Sequence, residues 1–207
     1  TQTSGYKMLS DNIGYIYPAK LNDYDINSIK TEFSKTKGII IDMRCYPSTF
    51  MPGAYGNWLK NISSPFVKIA KVNATLPGSV TWSDTVSNGS ANYNYYKGKV
   101  VIIANALAQS SAEYQIMALS TAPNAIVIGG TTAGADGNVS SITLPGGIST
   151  YISGLGVYYP DNTETQHVGM KIDLPVTPTI NGIREKRDEL LEKAIEITKY
   201  AESREGR

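Results

Sequence analysis

The 207-residue sequence predicts an α/β domain, because apolar runs typical of buried strands alternate with segments that have one apolar helical face. Two strand–helix–strand units carry this prediction. Their strands and helices are predicted over 13–17, 25–35 and 39–43 in the first unit and over 99–105, 110–121 and 125–128 in the second. Continuous apolar strands of this kind are typical of a parallel sheet that is covered on both faces.

The rest of the chain has weaker patterns, and we expect it to complete a single domain over 1–207. Further segments are predicted as a long loop or flap over 78–94, two strands over 138–144 and 148–158, and a C-terminal helix over 182–202. The sheet is therefore expected to be mixed, with a helix closing the chain.

Composition excludes several classes of function. Lys and Arg number 19 and Asp and Glu number 18, so the net charge of +1 argues against a nucleic-acid-binding protein. Cys45 and His167 are the sole residues of their types, which excludes an intrachain disulfide framework and a Cys/His zinc site. No apolar run approaches the ~20 residues of a membrane span. We therefore expect no cofactor, no metal, no nucleic acid and no membrane-spanning segment.

Ser110 is the first candidate for chemistry, because it lies between a predicted buried strand and the start of a helix. Unpaired N–H groups and a partial positive charge at a helix N-terminus can stabilise an oxyanion next to a serine nucleophile. The arrangement is that of a nucleophile elbow without the Gly-x-Ser-x-Gly spacing. However, Ser110 and Glu113 also form a capping-box pattern, and the local pattern alone favours the cap.

Two further candidates lie in polar segments. Asp136 belongs to the glycine-rich loop 129–137, which lacks the Lys-Ser/Thr ending of a phosphate-binding loop. Asp136 can be a base or a substrate contact, although an Asx turn is the simpler interpretation. His167 has the side chain whose ordinary pKa best suits general-base work, but a lone histidine in a polar loop more often lies at the surface.

The end of the strand over 39–43 carries a second group of polar residues. Asp42 and Arg44 follow the apolar run, where sites of α/β domains form, but a structural ion pair is the preferred interpretation of Arg44. Cys45 is more typical of a small core residue than of a nucleophile.

Taken in order, these segments resemble the C-terminal processing (tail-specific) serine peptidases and their tricorn-like relatives, from about Ile13 to Glu196. The matching segments are 13–16, the Gly-hydrophobic-Asp-x-Arg-x-x-Pro run over 38–47, the strand, turn and Ser-x-x-Glu over 100–113, the loop 129–137, and the strands 156–161 and 168–173. Residues 132–138 and 182–189 resemble a secreted bacterial branch of the family.

The resemblance implies an α/β fold shared in outline with crotonases and Clp proteases. It implies a serine peptidase acting on flexible or C-terminal segments of polypeptides, with Ser110 as nucleophile. Backbone N–H groups of Ser111 and of the turn 45–47, represented by Tyr46, would form the oxyanion hole.

The base that the resemblance implies is not settled by these motifs. The family lysine is replaced by Ala135 or Asp136, and the histidine of tricorn-like relatives is replaced near the first strand by Tyr15 and Tyr17. Asp136, His167 or neither remains as the base.

Two other classes of function stay open at this point. One is an inactive peptide- or glycan-binding protein on the same scaffold, and the other is a structural cap in a larger secreted assembly. The resemblance and the abundance of Tyr, Asn, Ser and Thr lead us to expect a polypeptide partner and a periplasmic, cell-surface or extracellular location. The sequence does not indicate an oligomeric state.

Overall fold

The computed structural model describes residues 4–10, 12–73, 75–76 and 78–202. Its strands are β1 (Tyr6–Ser10), β2 (Ile13–Ile16), β3 (Gly38–Asp42), β4 (Ser64–Val72), β5 (Val80–Trp82), β6 (Val86–Asn88), β7 (Lys99–Ala104), β8 (Ala125–Gly129), β9 (Val139–Leu144), β10 (Ile148–Ser153), β11 (Leu155–Tyr158) and β12 (Leu174–Pro175). Its helices are α1 (Asp25–Phe33), α2 (Pro52–Leu59), α3 (Ser111–Ser120), α4 (Ile180–Arg184) and α5 (Glu189–Glu202).

The central sheet has six strands in the order β1-β2-β3-β7-β8-β12. β1 is antiparallel to β2, and the other neighbours are parallel, so the predicted mixed α/β fold is confirmed. Side chains alternate between two apolar layers. Ile39 and Ile41 of β3 pack on the face that carries α1, α2 and α3, whereas Ile40 packs on the face that carries α5. Burial on both faces explains why the strands are continuously apolar.

A smaller sheet is built around β4. β11 and β5 pair with β4 in one sheet, and β6 also pairs with β4. The segment 78–94 therefore contains two short strands rather than the long loop that the sequence predicted. Each strand has only three residues, which explains why its period-two pattern was too short to detect.

The strand predicted over 148–158 is divided at Gly154. Its first part, β10, pairs with β9 in a separate two-stranded hairpin, and its second part, β11, pairs with β4. The predicted turn 145–147 joins β9 to β10.

The helix predicted over 182–202 is also divided. Thr179 caps α4 by accepting a hydrogen bond from the Gly182 N–H at 2.9 Å, and α4 ends before Lys186, which has a left-handed φ of 55°. Asp188 then begins α5 by accepting from the Leu191 N–H at 3.1 Å. Two helices, each with its own N-terminal cap, therefore take the place of the single predicted helix. Within the described residues, no helix combines the length and apolar character needed to cross a bilayer.

An ion-pair cluster attaches the start of α5 to the end of β3. The Arg44 guanidinium donates to both carboxylate oxygens of Asp42, at 2.8 and 2.7 Å, and to both of Asp188, at 2.8 and 2.7 Å. The Tyr15 hydroxyl donates to Asp42 at 2.8 Å. Burial acts to raise the pKa of Asp188, but the hydrogen bonds from Arg44 and from the Leu191 N–H, together with the positive charge of Arg44, outweigh it and lower this pKa. Arg44 thus has the structural role that its sequence context favoured.

Candidate active site

Ser110 lies at the turn between β7 and α3, with φ 53° and ψ −115°. A positive φ is uncommon for a residue with a side chain, and it costs ~1–3 kcal/mol when the surrounding structure imposes it. A strained serine between a strand and a helix N-terminus is the arrangement of a nucleophile elbow. The backbone conformation therefore favours a chemical role, whereas the sequence pattern alone favoured the cap.

The capping box is present as well. The Glu113 carboxylate accepts from the Ser110 N–H at 3.2 Å. The Ser110 side chain faces the Glu113 N–H, but this contact does not have the geometry of a side-chain capping hydrogen bond. The cap and the nucleophile are therefore compatible, because the firmer half of the box uses the backbone of Ser110 and not its hydroxyl.

Glu113 also binds the glycine-rich loop, although its side chain has no solvent exposure. Its carboxylate accepts from the Thr132 hydroxyl at 2.6 Å, from the Gly134 N–H at 2.7 Å and from the Ala135 N–H at 2.9 Å. With the Ser110 N–H, four donors surround one buried carboxylate, which is how a buried charge is stabilised. This network holds the loop beside the start of α3.

Gly134 is a residue where the loop approaches the next segment closely. Its φ is 64°, its carbonyl accepts from the His167 N–H at 2.7 Å, and a Cβ there would crowd the His167 and Val168 backbone. Thr132 accepts from the Met170 N–H at 2.9 Å in the same region. The loop is thereby held on both sides, and a residue with a side chain at position 134 would be strained.

Ser110, Ser111, Tyr46 and Asp136 line one cavity of about 410 Å³. The other lining residues are Phe50, Ile69, Tyr114, Gly137, Asn138, Leu155 and Val157. The wall thus combines six aromatic or aliphatic residues with two serines, one asparagine and one carboxyl. Such a mixture is typical of a binding site for a small molecule or a side chain.

Asp136 is the carboxyl of this cavity, and it is 6% exposed. One of its oxygens accepts from the Gly137 N–H at 2.7 Å, whereas Oδ2 is buried with no hydrogen-bond partner among the described residues. Burial raises the pKa of Asp136 to about 7, the Gly137 hydrogen bond opposes this, and the charge of Glu113 adds to it. A carboxyl with a pKa near neutrality in a cavity is a candidate acid or base.

The backbone N–H groups of two residues that line the cavity bear on its chemistry. Those of Ser111 and Tyr46 have no acceptor within the part of the chain that the structure describes. Gln115 connects the segments that carry them: its amide donates to Ser111 Oγ and to the Thr49 carbonyl, each at 3.1 Å, and accepts from the Met51 N–H at 3.0 Å. The turn after β3 is therefore fixed relative to the start of α3.

The remaining predicted residues lie elsewhere. His167 is exposed, has a φ of 63° and does not line the cavity that contains Ser110. Cys45 is buried, burial raises its pKa to about 11, and its thiol donates to the Asp42 carbonyl at 3.6 Å. A thiol with such a pKa is a poor nucleophile.

Three polar residues of the site were not identified as such from sequence. The sequence pattern identifies Glu113 as a cap but does not show that it accepts hydrogen bonds from the glycine-rich loop. It gives no signal for Gln115 or for Gln166. The Gln166 amide donates to the carbonyls of Asp136 and Leu155 at 2.6 and 2.9 Å. These contacts join segments that are distant in sequence, so no local pattern reports them. Across the described ranges, no group of three or more His, Cys, Asp or Glu side chains is placed to hold a metal ion.

The strain at Ser110 is testable without any substrate. Ser110→Gly and Ser110→Ala both remove the hydroxyl, but only glycine accepts a positive φ without a steric cost. We expect Ser110→Gly to exceed Ser110→Ala in free energy of unfolding by ~1 kcal/mol, as measured in urea. Equal stabilities, or a more stable alanine variant, would contradict the strained conformation.

Several solved structures share this fold. A candidate peptidase from Parabacteroides merdae ATCC 43184 superposes with a TM-score of 0.81 at 21% identity, over 95% of this chain and 65% of its own. A lipoprotein from Streptococcus agalactiae superposes with a TM-score of 0.65 at 17% identity, over 95% of this chain and 69% of its own. The photosystem II D1 C-terminal processing protease superposes with a TM-score of 0.57 at 18% identity, over 80% of this chain and 42% of its own. The chain thus spans about two thirds or less of the length of the first and third proteins.

Sequence comparison assigns the family directly. None of the curated proteins compared with the sequence matches it. The model of peptidase family S41, however, matches residues 12–176, which include the strands of the central sheet from β2 to β12, all of α3 and the glycine-rich loop. The expected relationship to C-terminal processing peptidases is therefore confirmed, and the chain belongs to peptidase family S41, a family of serine-type peptidases.

Proposed function

We propose that the protein hydrolyses peptide bonds with Ser110 as nucleophile and Asp136 as general base. The observation that carries the proposal is the placement of a strained serine and a buried carboxyl with an unpartnered oxygen in the wall of one cavity. A nucleophile with a base in the same pocket is the basic requirement of covalent catalysis.

In the first step, Ser110 Oγ forms a bond to the carbonyl carbon of the substrate while its proton passes to the Asp136 carboxylate. The tetrahedral intermediate carries its negative charge on the former carbonyl oxygen. Collapse breaks the C–N bond, and Asp136 returns the proton to the leaving amine. Water then attacks the acyl carbon on Ser110 while Asp136 takes one of its protons. When this second tetrahedral intermediate collapses, the bond between that carbon and Ser110 Oγ breaks and Asp136 returns the proton to Oγ, which releases the carboxylic acid product and restores the serine.

The developing oxyanion would be stabilised by the N–H groups of Ser111 and Tyr46. Both are backbone donors, so they need not reorganise during the reaction. The partial positive charge at the N-terminus of α3 acts in the same direction. Gln115 maintains the distance between the two donors because it binds both segments.

Asp136 is the preferred base because it combines position with a suitable pKa. His167 would have to leave its exposed position to reach the cavity, and its N–H bond to Gly134 holds its backbone in place. The buried Asp136 Oδ2, by contrast, has no competing donor among the described residues.

The substrates proposed here are flexible or C-terminal segments of polypeptides, and the protein is proposed to act outside the cytoplasm of a bacterium. The likeness to a D1 C-terminal processing protease supports the first proposal, and the likeness to a streptococcal lipoprotein supports the second. The composition, poor in charge and rich in Tyr, Asn, Ser and Thr, agrees with export.

Peptide cleavage tests this function. Wild type and Ser110→Ala are incubated with a pool of unstructured peptides, with free and with amidated C-termini, and new termini are read by mass spectrometry. We expect Ser110→Ala to lose at least ~10³-fold in rate, because the nucleophile is removed. Slower cleavage of amidated peptides would support action on tails.

Ser120→Ala is the matched control, since it removes a hydroxyl from the other end of the same helix, where it donates to the Met117 carbonyl at 3.0 Å. Unchanged products with Ser110→Ala, or equal losses in both variants, would reject Ser110 as the nucleophile.

The pH dependence tests the base. Only ionised Asp136 accepts a proton, and its pKa is raised to about 7, so we expect kcat/KM to rise with pH and level off above an inflection near 7. His167→Gln should retain this profile, whereas Asp136→Asn should lose most of the activity. If the pH profile of kcat/KM lost its inflection in His167→Gln, His167 and not Asp136 would be the general base.

The same pKa predicts an effect on stability of the opposite sign. An unfolded aspartate titrates at about 3.9, so between that pH and about 7 the folded protein binds more protons than the unfolded chain. The contribution of Asp136 to stability therefore falls as the pH rises through this window, and Asp136→Asn should remove that part of the decline in urea unfolding.

A further inference from the structure

The β9–β10 hairpin pairs with no other strand of the described structure and is exposed along its length. Its strands pair over six positions, from Ile148 with Leu144 to Ser153 with Val139, in a sheet of only two strands. Every residue from Asn138 to Gly154 is exposed. A two-stranded sheet has two outer edges, and each carries backbone N–H and C=O groups without a strand partner.

The two faces of the hairpin differ in character. Cross-strand pairing places four exposed aliphatic side chains on one face, with Ser140 and Thr150: Ile142, Leu144, Ile148 and Ile152. The opposite face is polar apart from Val139 and Tyr151. An apolar face on an isolated hairpin is unusual for a solvated surface, because such a hairpin has no core of its own to stabilise.

The hairpin also lacks the features that protect edge strands from pairing. No charged residue occurs between 137 and 160, and its one proline, Pro145, lies in the turn and not on an edge. Charged side chains, proline and bulges are the usual devices that prevent an exposed edge from binding another strand. Both edges are therefore open to an extended, uncharged polypeptide.

The base of the hairpin is fixed at the cavity. Asn138 immediately precedes β9 and Leu155 begins β11 just after β10, and both line the cavity that contains Ser110. The Gln166 amide donates to the carbonyls of Asp136 and Leu155, which joins the two ends of the hairpin to each other and to the body. A polypeptide bound at Ser110 would therefore occupy a cavity that the base of the hairpin also lines.

We propose that the hairpin is a substrate-docking arm, on which a polypeptide held at Ser110 adds as a further strand. The proposal rests on the proposed function and names its substrate class: extended, uncharged segments with aliphatic residues at alternate positions. Backbone hydrogen bonds to an outer edge supply affinity, and the apolar face selects the alternate side chains. A six-residue strand spans about 20 Å, so the arm would bind residues well beyond those in the cavity. A second copy of the chain is the competing occupant, but it does not explain why both ends of the hairpin line the cavity.

Peptide binding to the Ser110→Ala variant tests the arm without requiring turnover. A labelled peptide of about 14 residues with alternating Val and Ser, long enough to cover both cavity and arm, is compared by fluorescence anisotropy with a version in which Glu replaces Val. We expect Ile142→Thr with Ile148→Thr to weaken binding of the Val peptide about tenfold or more, because apolar contacts are lost. A four-residue peptide that fills only the cavity should be unaffected.

Val139→Thr with Tyr151→Thr is the matched control, since it removes two apolar side chains from the opposite face and should change the affinity less than about twofold. N-methylation of alternate peptide amides should lower the affinity of the 14-residue peptide to that of the four-residue peptide. Hydrogen exchange should show protection of the amides in 139–144 or 148–153 when the unmethylated peptide is bound. All substituted side chains are exposed, so unfolding in urea should be unchanged.

Three results would overturn the arm. The first is equal affinity of both double variants for the Val peptide. The second is equal affinity of Val and Glu peptides for the unsubstituted arm. The third is a dimer, seen by sedimentation, that the Ile142→Thr, Ile148→Thr variant dissociates with no change in peptide affinity. These binding measurements can be interpreted even if the cleavage assay detects no products. The proposed arm and the proposed hydrolysis are therefore tested independently.

Discussion

The Glu113 carboxylate accepts four hydrogen bonds in a position with no solvent exposure, and the geometry of the cavity follows from it. One donor is the Ser110 N–H, and the other three come from Thr132, Gly134 and Ala135. A buried carboxylate that lost one donor would leave a charge insufficiently solvated, at a cost of several kcal/mol, so the start of α3 and the loop are held in a single arrangement. Asp136 follows directly after this network and is carried with it into the cavity wall.

Two unfavourable features are concentrated at this point. Ser110 has a positive φ, and Asp136 has a carboxyl oxygen that is buried without a partner. Each is expected to reduce stability. The surrounding elements that hold them are ordinary and well packed: the apolar strand β7, the buried helix α3 and the loop fixed by Glu113. Local strain that persists within a well-packed scaffold is characteristic of functional sites.

The scaffold was largely predictable from sequence, because its signals are local. Apolar runs such as Ile39–Ile41 predict buried strands by themselves, and the serine between a strand and a helix marks the position of the candidate nucleophile. The elements that were missed are short or depend on their pairing partners. β5 and β6 exist because β4 lies beside them, and the break at Gly154 reflects pairing of β11 with β4 instead of β9.

The site was predictable only in part for the same reason. Ser110, Ser111, Tyr46 and Asp136 were all selected from sequence and are brought to one cavity, whereas His167, selected because it is the sole histidine, is not. Glu113 and Gln166 act through contacts across 19 to 30 positions along the chain, to Thr132 and Asp136 respectively. No periodicity or spacing encodes such contacts.

Covalent labelling of the nucleophile tests the central claim most directly, because a small reagent needs neither a docking segment nor the correct peptide. The protein is treated with diisopropyl fluorophosphate and the adduct is located by peptide mass spectrometry, in the wild type and in Asp136→Asn. The account predicts one phosphorylated serine, Ser110, with labelling greatly slowed in Asp136→Asn and slowed below pH 7 in the wild type. Labelling at Ser111, labelling spread over several serines, or a rate independent of Asp136 would contradict it.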